Sequence, residues 1–234
     1  MHVRQDFHVH STYSDGKGEL SENITAALAA GIEELGCVDH VRQDTDWVPR
    51  YAHAVATLRA TTPIQLYCGV EAKLLNEAGD IDVPRDLAGV DFIYVADHQL
   101  PWRDGCLGPR DVRALLASGA ATPQAIVTAI TNATCRAMQR HPNVVVAHLF
   151  SILPKCGLTE DVVDDGSLDR IAATAYRAGA RVEFDERWNC PGRRVLQAMQ
   201  SYSVPVVASS DAHRPSEIGR YAWLPTLLPQ QDAA

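Results

Sequence analysis

Residues 34–71 read ELGCVDHVRQDTDWVPRYAHAVATLRATTPIQLYCGVE. The apolar run Glu34–Val38 is strand-like and stops at Asp39-His40. A helical stretch follows around Pro49–Ala60, and a second apolar run, Ile64–Val70, stops at Glu71. Short apolar, β-branched runs separated by a helix predict parallel strands joined by a crossover. Each strand also ends on a side chain able to ligate a metal ion.

The same unit recurs outward in both directions. Toward the N-terminus, Val3–His8 is strand-like, His8 and His10 stand at and beyond its end, and Ser21 is placed to cap a helix ending near Gly31. Toward the C-terminus, Val90–Ala96 leads to Asp97-His98, and Thr122-Pro123 supplies an N-cap and an N1 proline for a helix reaching about Arg140. Asn143–Ala147 leads to His148, and a helix over Leu168–Ala178 stops at Gly179. The strand Arg181–Phe184 precedes a polar loop and a helix over Arg193–Tyr202, and Val204–Ala208 runs into Ser209-Ser210-Asp211-Ala212-His213. About seven strands alternating with helices predict a parallel sheet covered on both faces. Such units either close into a barrel or form a doubly wound open sheet. A single α/β domain over residues 1–228 is expected, with Pro229–Ala234 as a frayed tail.

Composition agrees with one well-buried domain: 234 residues, 46% hydrophobic and 21% charged. A net charge of −8 and a pI near 5.5 argue against a general nucleic-acid surface, which needs clustered Lys and Arg. The opening MHVRQDFHVH lacks the basic start and apolar core of a signal peptide, and no run reaches the roughly 18 apolar residues of a membrane span. A cytoplasmic protein without a membrane partner is expected. Cys37, Cys68, Cys106, Cys135, Cys156 and Cys190 form no CxxC and read as reduced, mostly buried thiols.

His8, His10, His40, Glu71, His98, His148, Asp211 and His213 all fall at or just past the C-terminal ends of predicted strands. In a barrel of alternating strands and helices that rim carries the active site. On an extended strand, i and i+2 point the same way, so His8/His10 and Asp211/His213 each aim two side chains at one point. A lone rim histidine is more often a hydrogen-bonded structural residue; six of them joined by two carboxylates are not coincidental. His2, His53 and His141 fall outside this pattern. Imidazoles mixed with carboxylates suit zinc, manganese or iron. Eight ligands exceed what one ion takes, so two or three divalent ions are expected, with Glu71 placed to bridge a pair. Such a pair would hold a bridging hydroxide for an in-line displacement.

The segments His8-Val-His10-Ser-Thr-Tyr-Ser-Asp15-Gly16, Val38-Asp39-His40, Gly69-Val70-Glu71, Asp97-His98, Ala147-His148 and Ser210-Asp211-Ala212-His213 follow one another in a family order. The chain thereby resembles the polymerase and histidinol phosphatase (PHP) superfamily, as a stand-alone histidinol-phosphatase-like member. The resemblance implies a distorted (β/α)7 TIM-like barrel with a trinuclear metal site. Carried across by motif, His8, His10, Glu71 and Asp211 would hold one ion, Glu71, His98 and His148 a second, and Asp15, His40 and His213 a third. Asp15 rests on the motif alone, since a Ser-Asp-Gly loop otherwise reads as a turn. Glu71, Asp211 and His213 are the expected catalytic residues, and the general acid is left between a water and Asp211.

Arg42, Lys73, Arg103, Lys155, Arg187 and Arg214 each follow a rim motif in a loop of this acidic chain. Cations beside divalent ions suit a phosphate dianion. Of these, Arg42, Lys73, Lys155, Arg187 and Arg214 are the substrate-binding candidates, Lys155 and Arg187 foremost. The expected activity is hydrolysis of a small phosphate monoester, histidinol phosphate or a related biosynthetic intermediate. A phosphodiesterase or nucleotide hydrolase, a metal-dependent C–N hydrolase and a non-catalytic metal-stabilised module are the rival readings. No stable nucleic-acid partner is expected, and the oligomeric state stays open.

Overall fold

The computed structural model describes residues 4–227. His2, the predicted strand start at Val3 and the predicted tail Pro229–Ala234 lie outside the described residues. The elements in chain order are β1 (Gln5–Val9), α1 (Leu20–Ala29), β2 (Glu34–His40), α2 (Val48–Arg59), β3 (Gln65–Lys73) and β4 (Phe92–Ala96). Next come β5 (Leu100–Trp102), β6 (Gly105–Leu107), α3 (Pro109–Ala117), α4 (Pro123–Arg140), β7 (Val144–Ala147) and α5 (Ile152–Lys155). The chain ends with α6 (Asp165–Ala178), β8 (Arg181–Asp185), α7 (Arg193–Ser201), β9 (Val206–Ser209) and α8 (Leu224–Leu227).

Seven parallel strands pair in the order β1-β2-β3-β4-β7-β8-β9. The two ends of that order meet. His10 N donates to Ala212 O at 2.9 Å and Ala212 N to His8 O at 3.2 Å, while lower down the Asp6 carboxylate accepts from Ser210 N at 2.9 Å. The sheet is therefore a nearly closed barrel, and the open doubly wound alternative is excluded by this seam.

The barrel strands are buried along most of their length because both faces are covered. The outer faces pack under the helices; α4 alone buries Ile126, Val127, Ile130 and Met138. A separate apolar cluster that includes Phe7, Val38, Tyr94, Val145, Ala147 and Val207 fills the inside. Two residues beyond Val38 on β2 comes His40, and two beyond Gly69 on β3 comes Glu71, so the pleat that aims the plug inward aims the ligands inward one layer higher. Gly69 is glycine because the Tyr94 ring fills the space of a side chain: a Cβ there would stand 2.9 Å from it.

Local signals acted largely as expected. Thr122 Oγ1 accepts from Ala125 N at 3.2 Å to cap α4, and Gly179 takes the left-handed conformation (φ 63°) that ends α6. Helix α1 starts one residue before Ser21, because Glu19 and Glu22 form a reciprocal capping box that leaves Ser21 inside the first turn. Strands β2 and β3 run on to His40 and Lys73, so the ligand candidates His40 and Glu71 are in the strand rather than past it. The β5–β6 hairpin was not predicted; each arm has three residues, too few to carry a period. All six cysteines are free, Cys106 half-buried and the others buried.

Candidate metal centre

All seven barrel strands deliver a polar side chain to the C-terminal mouth, and Glu71 of β3 is the hub. On its Oε1, His148 Nε2 is hydrogen-bonded at 3.0 Å and His98 Nε2 stands at 2.9 Å. Around Oε2 lie His40 Nδ1 at 2.8 Å, His8 Nε2 at 3.4 Å and His10 Nε2 at 3.6 Å. Burial disfavours a charged Glu71, but the charges of His98 and His8 and the bonds from His148 and His40 outweigh it and hold the carboxyl well below its ordinary range.

The remaining ligand candidates close the cluster. Asp211 Oδ1 is 3.0 Å from His10 Nε2, and Asp15 Oδ2 is 3.4 Å from His213 Nε2 and 3.7 Å from His40 Nε2. All nine residues named as ligands from the sequence thus converge. Four sets bring one donor atom of each member within 4.8 Å of the others: His8/His10/Asp211, His40/Glu71/His98, His10/Asp15/His40/His213 and, deeper in the barrel, His8/Glu183/Asp185. This grouping departs from the motif-based partition: Glu71 falls outside the His8/His10/Asp211 set and His10 joins the Asp15 set. His40 stands with Glu71 and His98 as well as with Asp15, and His148 reaches the cluster through its bond to Glu71.

The tautomers follow from the outer bonds. His8 Nδ1 meets Glu183 Oε1 at 2.8 Å, His213 Nδ1 meets the Asp211 carbonyl at 2.9 Å, and His148 Nδ1 meets Ser151 Oγ at 3.0 Å. The serine hydroxyl is itself committed to Asp97 Oδ1 at 2.7 Å, so it accepts from His148. Each Nδ1 is therefore held as the outward donor, which leaves Nε2 as the atom that can face an ion once its proton is displaced, as in ligating histidines. Among the described residues, the buried atoms His8 Nε2 and His10 Nδ1 have no hydrogen-bond partner. Leaving such atoms unsatisfied costs about 1–3 kcal/mol each. They are nitrogen atoms that a divalent ion can take, so the residues present fit metal ions.

Sequence reasoning missed Glu183 and Asp39. Glu183 is fully buried: its Oε1 takes the His8 ring and the Ser209 hydroxyl (2.7 Å), and its Oε2 takes His148 N (2.7 Å). The available signal was the spacing Glu183-x-Asp185, the same same-face pair as His8/His10. Asp39 is likewise buried and ties down the Asp15 loop through Ser11 N (2.9 Å), Ser11 Oγ (2.6 Å) and Ser14 Oγ (2.5 Å). Gly16 closes that loop against the His10 backbone, where a Cβ would sit 2.5 Å from the carbonyl carbon.

The basic candidates divide. Arg42 and Lys73 line a cavity of about 500 Å³ that opens onto Asp15, His40, Glu71 and His98, with Tyr13, Trp47 and Asp82 completing its wall. Lys73 Nζ is 3.7 Å from Asp82 Oδ2. On the other side of the mouth, Arg187 donates to Asp211 O at 3.3 Å and Lys155 Nζ lies 3.8 Å above the Trp188 ring. Arg214 is exposed and lies outside the cavity lining, as does Arg103. His53 is exposed on α2 and His141 caps α4, both away from the mouth.

A nearly closed barrel of seven parallel strands, with overlapping histidine and carboxylate sets on its C-terminal mouth, defines a class of α/β barrel built around metal ions. Within that class the chain belongs to the PHP domain family, which matches residues 6–163; residues 191–225 match the PHP-associated family. The "Probable phosphatase" of Vibrio campbellii is 23% identical over 97% of this chain and 84% of its own length. A "Probable phosphatase" of Clostridium acetobutylicum is 25% identical over 97% and 86%. Among solved structures, the histidinol phosphate phosphatase (HISK) of Lactococcus lactis subsp. lactis, complexed with Zn, L-histidinol and phosphate, is similar with a TM-score of 0.64 at 17% identity, covering 95% of this chain and 91% of that one. HisK of Listeria monocytogenes gives 0.68 at 14% identity over 92% and 97%. These two share the fold. Among the described residues, no helix is long and apolar enough to cross a membrane.

Proposed function

We propose that this chain is a metal-dependent phosphatase that hydrolyses a small phosphate monoester, with residues 1–228 acting as one catalytic unit. The observation that carries the proposal is the Glu71 hub, one buried carboxylate with histidines on both oxygens, opening onto a cavity whose wall holds Arg42 and Lys73. The two "Probable phosphatase" relatives and the histidinol and phosphate bound by the Lactococcus lactis protein favour the same chemistry. Histidinol phosphate, or a related biosynthetic intermediate, is the first candidate substrate.

His8, His10, Asp15, His40, Glu71, His98, His148, Asp211 and His213 would hold two or three divalent ions of the zinc, manganese or iron type. Bound there, such ions supply Lewis acidity toward phosphate oxygens and make water a competent nucleophile at neutral pH. The chain does the rest. Glu71 holds the histidines to a common centre, and Glu183 and Ser151 fix the tautomers of His8 and His148. Arg42 and Lys73 meet the phosphate oxygens from the cavity wall, while Lys155 and Arg187 bound the opposite side of the mouth; Arg214 takes part only by turning inward from its exposed position. His213 joins Asp15 on the open side of the mouth. Burial works against a charged Asp211, yet the bond from His10 and the nearby His8 bring its carboxyl far below the ordinary range. Asp211 is thus a holder of positive charge, which leaves water to protonate the departing alkoxide.

The test is a hydrolysis screen of metal-analysed protein across phosphomonoesters, including histidinol phosphate, sugar phosphates and nucleotides, with diesters as controls and Glu71→Ala alongside. Phosphate release from monoesters that disappears in Glu71→Ala is expected. No release from any monoester by protein carrying its ions would overturn the proposal.

A further inference from the structure

Trp188 is 39% exposed, yet its indole is engaged: Nε1 donates to Asp211 Oδ2 at 2.9 Å. The other oxygen of that carboxylate, Oδ1, faces His10 Nε2 at 3.0 Å. The two contacts fix the rotation of the carboxylate between them. The Asp211 backbone itself lies at φ 49°, in the left-handed region that few non-glycine residues adopt.

The loop that carries Trp188 is built to deliver it. Trp188 N donates to Asp185 Oδ1 at 2.9 Å, and Asp185 and Cys190 exchange backbone bonds of 2.8 and 3.3 Å at the base of the loop. Asp185 itself is fully buried, so the base is anchored in the barrel. From the far side, Lys155 of α5 rests its ammonium 3.8 Å over the indole centroid, a cation–π contact that holds the ring flat against the mouth. Neighbouring Arg187 donates to the Asp211 carbonyl at 3.3 Å. One loop thus grips both the backbone and the carboxylate of Asp211.

We propose that Trp188 is a positioning residue for metal binding. Its N–H, a charge-assisted donor to Oδ2, keeps Oδ1 turned toward the His8/His10 set, and Lys155 clamps the indole in place. The proposal rests on the reading of Asp211 as a metal ligand and is separable from it by experiment. Trp188→Phe removes the N–H donor and leaves a smaller aromatic ring for Lys155 to rest on.

The experiment is a Zn²⁺ titration of the full chain against a chelating indicator, for the wild type, Trp188→Phe, Lys155→Met and Asp211→Asn, with thermal melts of the chelator-treated proteins. Trp188→Phe is expected to melt like the wild type without metal and to bind one ion about 10–100-fold more weakly. Lys155→Met is expected to lose less than Trp188→Phe, and Asp211→Asn to lose that ion. Trp188→Phe binding as tightly as the wild type, while Asp211→Asn loses an ion, would overturn the proposal and leave the metal reading standing. Full ion binding by Asp211→Asn would remove that reading and the proposal with it. A Trp188→Phe protein that melts lower without metal and weakens every ion equally would assign the indole to packing and overturn the proposal as well.

Discussion

Asp6 and Ser210 join the first and last strands of the barrel through a side chain. The Asp6 carboxylate accepts from the Ser210 amide at 2.9 Å and the Ser210 hydroxyl at 2.6 Å, and its second oxygen also takes the Gly219 amide at 2.9 Å. Asp6 and Ser210 are both buried, and the residue that follows Ser210 is the ligand candidate Asp211. Asp6→Ala would leave donors unpaired inside the seam. With unsatisfied buried groups costing about 1–3 kcal/mol each, a loss of roughly 2–5 kcal/mol of stability is expected. Urea unfolding of the metal-free protein measures it, and a loss near zero would mean that the seam is held by packing alone.

Glu183 gives a second prediction, at the metal centre. Its carboxylate bonds the outer nitrogen of His8 and the backbone amide of His148, so it sets how two histidines face the mouth. Glu183→Gln keeps the shape and removes the charge that favours the inward lone pair on His8. Metal affinity is expected to fall by about 10–100-fold with the fold intact. Equilibrium dialysis against a metal buffer, paired with circular dichroism, reads both quantities.

How far the site was legible follows from where its bonds come from. His8, His10, His40, Glu71, His98, His148, Asp211 and His213 could be found because a parallel barrel puts strand ends on one rim and the pleat turns alternate residues inward. Both rules act within a few residues of sequence. Asp15 came only from a motif, because its place depends on Asp39, 25 residues away from Ser14, pinning the loop. Glu183 was hidden inside the run Arg181–Phe184, and its partners His8, His148 and Ser209 all come from other parts of the chain. The closure at Asp6–Ser210 spans 204 residues of chain, and no local pattern foretells a contact of that range. Among the basic residues, order along the chain gave the rim but not the direction: Arg42 and Lys73 line the cavity, whereas Arg214 is exposed.

Metal binding should release protons. Burial lowers the affinity of the His8 ring for a proton, but the charges of Glu183 and Glu71 outweigh it and the net shift is well upward. His148 shifts the same way: burial opposes, while Asp97 and Glu71 raise it. A raised pKa means that these rings hold a proton at neutral pH in the metal-free protein, and an ion must displace it to reach Nε2. Affinity is therefore expected to rise with pH until the rings are neutral without help, and to fall as pH drops. Titrating ZnCl2 into protein in weak buffer with a pH indicator should show acidification; a flat trace would contradict the charge assignment.

The last prediction separates binding from chemistry. Arg42 and Lys73 line the cavity beside the Glu71 hub, and as cations they do not ligate a metal ion. Removing either cation should therefore leave metal content unchanged and weaken the hold on the phosphate dianion. A hydrogen bond to a charged group contributes about 1.5–3 kcal/mol, so Arg42→Ala and Lys73→Ala should each raise KM by about 10–100-fold. An interaction made equally to substrate and transition state changes KM with kcat nearly constant. Lys73→Ala should have the smaller effect, because Asp82 at 3.7 Å already takes part of its charge. Steady-state kinetics on the best monoester from the screen, with metal analysis of each variant, decides it. A fall in kcat with KM unchanged would move these cations from substrate binding to the transferring group itself.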